Sequence, residues 1–217
     1  TGFMESTDEL GGDYYDVLHS ENVVTIGIGD VTGHGLESSI LMLMTQMAVR
    51  TLKESLETNS VKFLQTLNRA IYKNVVRMNS ERNLTLAILN YSQGILNISG
   101  QHEEVIIVRQ GGIIERIDTI DLGFPIGLVD EISDYICQRQ VKLEIGDGIV
   151  LYTDGITEAE NLSKIQYGLP RLCQVIREHW EESSQNIQRK VIADLRVHIG
   201  EQKVFDDMTL LVLKRLV

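Results

Sequence analysis

Strand and helix periodicities occupy separate blocks along this chain, and that segregation restricts the fold more than any other feature. Tyr14 to Leu18 and Val23 to Ile28 are short apolar or alternating runs around the polar turn His19-Ser20-Glu21-Asn22, a hairpin signal. After Gly33-His34-Gly35 the spacing changes. Ile40, Leu43, Met44, Met47, Ala48, Thr51 and Leu52 recur at helical intervals, and the wide stripe is expected to be core. Leu64, Leu67, Ile71, Val75 and Met78 form the apolar face of a second helix. The middle returns to strands: Leu84 to Leu89, Ile95 to Ser99, Val105 to Val108, Ile113 to Ile117, Gln138 to Leu143 and Gly148 to Tyr152. Their short polar or glycine turns favour antiparallel pairing. A helix starting near Pro170 carries Leu172, Val175, Ile176 and Trp180, and another carries Ile187, Val191, Leu195 and Ile199. Met208 to Leu213 closes the chain as a strand. Such blocks favour an α+β layered fold over a parallel βαβ sheet. A sandwich of two sheets covered by helix pairs buries all these faces.

The 217 residues suit one continuous domain, and no linker, repeat or low-complexity tract interrupts them. No apolar run is long enough to cross a bilayer. The formal net charge of -11 argues against nucleic acid and against an anionic membrane surface as partner. Only two cysteines occur, Cys137 and Cys173, outside any zinc spacing. Buried thiols in a reducing compartment are expected, hence a cytoplasmic protein. The chain opens at Thr1 without an initiator Met, which suggests a piece of a longer, regulated protein.

Four acidic motifs lie where strands meet turns: Gly11-Gly12-Asp13-Tyr14-Tyr15-Asp16, Gly29-Asp30-Val31-Thr32-Gly33-His34-Gly35, Tyr152-Thr153-Asp154-Gly155 and Phe205-Asp206-Asp207-Met208-Thr209. Taken singly, each has an ordinary explanation. An Asp-Gly at a strand end is usually a turn. The glycine-rich segment fits neither a P-loop nor a dinucleotide fingerprint. His34 reads as a capping or surface residue, and Met42, Met44 and Met47 read as core. Together the motifs supply carboxylates that would repel one another unless cations neutralised them. An all-oxygen ligand set suits Mg²⁺ or Mn²⁺, and two such ions can activate a water and clamp a phosphoryl group. Gly33 and Gly35 are expected to leave room for backbone to approach a ligand, and Gly155 to permit a sharp exit after Asp154.

The ordered set GGDYYDV, GDVTGHGLESSILM, LGFPIGL, LEIGDGIVLYTDGITEAEN and FDDMTLLVLKR resembles the SpoIIE/RsbU branch of the PPM-type, metal-dependent serine/threonine protein phosphatases. The resemblance covers nearly all of residues 1–217. It implies a four-layer αββα sandwich of two mainly antiparallel sheets flanked by helix pairs, with two Mn²⁺ or Mg²⁺ ions per active site. Matched residue by residue, Asp13, Asp30, the carbonyl of Val31, Asp154 and Asp206 are metal ligands, with Asp207 the adjacent alternative. Asp30 is the expected bridge, and Asp30 and Asp154 act catalytically through a metal-activated water. The implied substrate is a phosphoserine or phosphothreonine protein, an anti-sigma-factor antagonist of a partner-switching pathway. A dimer through a missing N-terminal region or the first helices is a further expectation. One departure occurs: relatives carry an Ala-Gly-His-Pro-Pro segment where this chain reads Ser99-Gly100-Gln101-His102-Glu103-Glu104, so His102 receives no catalytic role. No arginine matches a phosphate ligand. Two rival readings stand beside this one: a degenerate phosphatase fold used as a binding module, and a metal phosphohydrolase acting on a small molecule.

Overall fold

The computed structural model describes residues 1–7, 11–20 and 22–216. In chain order its first elements are β1 (Gly2–Glu5), β2 (Tyr14–Ser20), β3 (Val23–Val31), α1 (Leu36–Glu54), α2 (Ser60–Met78), β4 (Leu84–Ser92) and β5 (Ile95–Ser99). There follow β6 (Val105–Arg109), β7 (Ile113–Ile117), β8 (Gln138–Lys142), β9 (Gly148–Tyr152), α3 (Asp154–Thr157), α4 (Leu169–His179), α5 (Ser184–Ile199) and β10 (Met208–Lys214). The strands form two five-stranded sheets, ordered β1-β10-β9-β6-β7 and β2-β3-β4-β5-β8, with every pairing antiparallel. The α+β class and the antiparallel sheets agree with the sequence reading. Contacts divide the chain into two units, Thr1–Thr7 with Glu103–Asp118 and Leu143–Val217, and Asp8–His102 with Thr119–Lys142.

In the second unit, β3 is central, paired with β2 from Tyr14↔Gly29 to Ser20↔Val23 and with β4 from Val24↔Tyr91 to Val31↔Leu84. Part of the expected turn, Glu21, lies outside the described residues. Helix α2 buries Leu64, Leu67, Ile71 and Val75 in one core with Val31, Leu84, Leu86 and Ile88. Its ends are closed by side-chain and backbone means: Asn59 accepts from the Lys62 N–H, and Asn79 takes the left-handed conformation. Two polar residues of α2 are also buried, and both are satisfied. Asn68 accepts from the Gly127 N–H and donates to the Val129 and Asp130 carbonyls. Gln65 accepts from Ile132 N–H and donates to the Asp130 carbonyl.

Helix α1 corrects the expectation for its face. The residues it buries are Ser38, Ser39, Leu41, Thr45 and Val49. Ile40, Leu43 and Met47 are exposed, Met47 by 67%. Small residues take the inward positions because their hydroxyls are answered within the helix and its entry: Ser38 donates to the Gly33 carbonyl, Ser39 to Gly35 and Thr45 to Leu41. Hydrophobicity alone cannot register that solution. Of the three nearby methionines expected in the core, Met42 and Met44 pack against it and Met47 does not.

In the first unit, β10 lies between β1 and β9. Ile106, Val108, Val150, Tyr152, Leu210 and Val212 form one core with α4 and α5. The α5 row Ile187, Val191, Leu195 and Ile199 is fully buried, as its spacing predicts. Each such side chain contributes about 1.5–3 kcal/mol of transfer free energy. Strand β1 had no sequence expectation, because its four residues, Gly2–Glu5, are too short to display a period.

Candidate metal centre

Each unit carries two of the acidic motifs at the ends of paired strands. In the second unit the β2–β3 register, ending at Tyr14↔Gly29, sets Asp13 and Asp30 at the same end of the hairpin. Asp13 is buried, 2% exposed, and Asp30 is half-buried opposite Thr85 of β4. Gly12 lies against both Asp30 and the next residue. A Cβ there would sit 3.2 Å from the Val31 carbonyl oxygen and 3.5 Å from Asp30 Oδ1. Those two oxygens therefore face one small volume that a side chain at position 12 would fill.

The other aspartate of the first motif has a different job. Asp16 is buried and accepts a two-pronged bond from Arg50 of α1, at 2.7 and 3.0 Å, plus the Val17 N–H at 3.0 Å. It fastens β2 to α1. Tyr14 is buried beside it, with its hydroxyl lacking a hydrogen-bond partner. Burial, then the Asp16 charge, push the Tyr14 phenol well above its usual range.

The loop after β3 refines one expectation. The open side of Gly33 is occupied: the Arg82 guanidinium lies across it, and an added Cβ would meet Arg82 Nη1 at 1.4 Å. Gly35 has open space around it, as expected. His34 is exposed. His102 comes near this region through Thr85, whose Oγ1 is 2.8 Å from His102 Nδ1, while its backbone is tied to Thr119.

In the first unit, β9 ends at Tyr152, and Asp154 opens the short α3. Its Oδ1 is buried without a hydrogen-bond partner. Burial, then the neighbouring Glu158 carboxylate, push the Asp154 carboxyl above its ordinary value. Gly155 is required for packing, because a Cβ there would lie 1.9 Å from the Asp207 carbonyl oxygen. This contact seats the Asp206-Asp207 backbone beside Asp154. The two adjacent acids then diverge. Asp206 is exposed, and its Oδ1 accepts from the Asp207 N–H at 2.9 Å. Asp207 is buried, and its Oδ1 accepts from the Thr7 N–H at 2.7 Å and the Thr7 hydroxyl at 3.3 Å.

Glu103 is an acidic neighbour that sequence reasoning passed over. Burial raises its pKa most, followed by Asp154, Glu158 and Glu104. No motif marks it; only the fold brings β6's entry beside Asp154. An open cleft of ≈ 320 Å³ adjoins Gly155 and Asp206, lined among others by Glu158, Glu160, Lys164, Lys203 and Phe205.

Among the described residues no three His, Cys, Asp or Glu side chains converge into a ready-made metal cage. The donors available are oxygens throughout, the chemistry of Mg²⁺ and Mn²⁺ sites rather than zinc sites. A buried carboxylate oxygen without a donor, and the Asp30 Oδ1 and Val31 carbonyl oxygens brought close together beside Gly12, fit such cations.

The fold is that of the PP2C-type phosphatase domains. The SiaA-PP2C domain of Pseudomonas aeruginosa matches with a TM-score of 0.83 over 98% of this chain and 85% of that one, at 20% identity. The chain belongs to the SpoIIE family (Stage II sporulation protein E), whose model matches residues 20–216. It is 29% identical over 210 residues to the phosphoserine phosphatase RsbU of Bacillus subtilis (strain 168). That alignment takes in 95% of this chain and 60% of RsbU, so the chain spans less than two thirds of its relative's length. RsbX, solved in complex with magnesium, matches with a TM-score of 0.68 over 97% of this chain and 92% of that one, at 14% identity. Among the described residues no helix is long and apolar enough to cross a membrane.

Proposed function

We propose that this chain is the catalytic domain of a protein serine/threonine phosphatase that hydrolyses phosphoserine or phosphothreonine with a metal-activated water. The observation that carries the reading is Asp154: a buried carboxylate oxygen with no protein donor, in a chain of this family, calls for a cation. The ligands are Asp13, Asp30, the Val31 carbonyl, Asp154 and Asp206, with Asp207 the less suitable neighbour because Thr7 already occupies its Oδ1. When bound, a pair of Mn²⁺ or Mg²⁺ ions lowers the pKa of a water and offsets phosphoryl charge. The magnesium complex of RsbX supports that choice of ion. The chain's own contribution is to hold its carboxylates rigidly at strand ends. Gly12 keeps bulk away from Asp30 and Val31, and Gly155 makes room for the Asp206-Asp207 backbone. The reaction breaks the phosphoester bond and releases the free hydroxyl side chain and inorganic phosphate.

The substrate in this reading is a phosphorylated anti-sigma-factor antagonist in the cytoplasm. Similarity to RsbU supports it, as does a structural neighbour comprising the RsbU and RsbW domains of a Mycobacterium tuberculosis protein. The chain acts within a longer regulated protein. Leu36, Ile40, Leu43 and Met47, spaced four, three and four apart, leave an exposed apolar stripe on α1 that suits a dimer contact through the first helices.

The test is turnover of a phosphorylated antagonist and of free nucleotides, with and without Mn²⁺. Activity on the phosphoprotein, abolished by a chelator and restored by Mn²⁺ or Mg²⁺, is expected. Preference for nucleotides would favour a small-molecule phosphohydrolase, and binding without turnover a scaffold module. Full activity in metal-free protein would sink the mechanism.

A further inference from the structure

The loop between the proposed ligands Asp30 and Val31 and the start of α1 is unusual in how it is held. Helix α1 has no side-chain N-cap; Gly35 occupies that position with φ 90°. The helix start therefore lacks the hydrogen bond that fixes the entries of α2 and α5. Besides the Ser38 and Ser39 hydroxyls on the Gly33 and Gly35 carbonyls, the restraint comes from the segment that enters β4. The peptide unit joining Val31 to Thr32 contains both the Val31 carbonyl and the Thr32 N–H, and that N–H donates to the Asn83 carbonyl at 2.9 Å. Thr32 Oγ1 adds a second link, accepting from the Asn83 N–H at 3.1 Å. The next peptide unit is pinned by Arg82. Its Nη1 donates to the Thr32 carbonyl at 2.6 Å, the Nη1 end of its guanidinium fills the space beside Gly33, and its Nε is 3.7 Å from Glu37 in the first turn of α1.

From this geometry we infer that Arg82 is a positioning residue of the metal centre. It clamps the Thr32-Gly33 turn and the first turn of α1, and so orients the Val31 carbonyl and Asp30. The interlock explains Gly33 twice over, since its φ of 75° favours glycine and the guanidinium takes the space of a Cβ. It also gives Arg82 a role apart from phosphate: Nη1 is hydrogen-bonded to the Thr32 carbonyl, and Nε lies at ion-pair distance from Glu37. A lysine at position 82 would keep the charge and a donor for the Thr32 carbonyl but lose the planar fork that reaches Gly33 and Glu37 together.

The inference rests on the metal-dependent reading above, and the experiment separates the two. Mn²⁺ alone is titrated calorimetrically into the parent chain, Arg82→Ala and Arg82→Lys. Each protein is also melted in a chelator and assayed on p-nitrophenyl phosphate across a range of Mn²⁺ concentrations. Arg82→Ala is expected to bind Mn²⁺ about tenfold more weakly, the scale of a lost ligand-supporting contact. Its metal-free melting temperature should stay near the parent's. Saturating Mn²⁺ should restore most of its kcat with KM for the ester unchanged, and Arg82→Lys should recover part of the affinity. Unchanged Mn²⁺ affinity in Arg82→Ala would overturn the positioning role. A raised KM with unchanged Mn²⁺ affinity would also overturn it and make Arg82 a substrate contact. If the alanine variant fails to fold, the lysine variant carries the same comparison. A parent chain that binds no Mn²⁺ would bring down the metal-dependent reading itself, and this inference with it.

Discussion

The β2–β3 hairpin and the β9–β10 pair both end in aspartates, yet each divides its acids between two kinds of work. In the hairpin, Asp16 receives three hydrogen bonds, two from Arg50 and one from the Val17 N–H. In the β9–β10 pair, Asp207 is answered by Thr7. Against these stands Asp154, whose buried Oδ1 no protein group answers. Asp30 differs again, with its Oδ1 and the following carbonyl both close to Gly12, which carries no side chain. A carboxylate with a full set of protein donors stabilises the fold where it is. One buried without them lowers stability until a cation arrives, which is the signature of a functional position.

The contrast is sharpest at Asp30. Residues that merely support ligands are worth about 10–100-fold, so replacing the proposed bridging ligand in Asp30→Asn should cost more than about a hundredfold in kcat/KM. The parent and variant are compared at saturating Mn²⁺. Activity within a few fold of the parent would remove Asp30 from the centre.

Asp154→Asn should likewise abolish most turnover, but it should also melt higher than the parent in a chelator near neutral pH. The sign follows from its raised pKa. A carboxyl whose folded pKa lies above its unfolded value gives stability that is intact below the unfolded pKa and lost as pH rises through the folded one. The gap between the two melting temperatures should therefore close as pH falls through the raised Asp154 value. A parent more stable than the variant at neutral pH without metal would contradict the assignment.

Asp206 and Asp207 test the same logic within one motif. An asparagine keeps an acceptor oxygen, so Asp207→Asn can still accept from Thr7, whereas Asp206→Asn would lose the charge of a proposed ligand. Mn²⁺ affinity should fall in Asp206→Asn by about tenfold or more and change little in Asp207→Asn. The reverse order in a calorimetric titration would exchange their roles.

The smallest catalytic effect belongs to Asp16→Asn. Its amide would turn a donor toward Arg50, so the hairpin should loosen from α1 and the melting temperature fall. A chain of this size loses roughly 2–4 °C per kcal/mol. Turnover at saturating Mn²⁺ should stay close to the parent's. A loss as large as that of Asp30→Asn would erase the distinction between the two aspartates.

By itself the sequence determined the order of the longer elements, the preference for antiparallel pairing and the acidic strand ends, because each is written in local spacing. The α5 row of Ile187, Val191, Leu195 and Ile199 is buried as its period requires, since an apolar stripe with no polar competitor has only one way to face a core. The same reasoning placed turns correctly. Ile145-Gly146-Asp147-Gly148 is a turn, and its buried Asp147 accepts from the backbone N–H groups of Glu144 and Gln110 and from Arg109. Tertiary structure alone decided the face of α1, where self-satisfied Ser38, Ser39 and Thr45 go inward and Ile40, Leu43 and Met47 stay out. It also decided which aspartates are answered by protein. Arg50 reaches Asp16 across 34 positions, Thr7 reaches Asp207 across 200, and Arg82 reaches the Thr32 carbonyl across 50. Periodicity reports what neighbours along the chain share. A carboxylate's purpose depends on donors that only the folded chain brings to it.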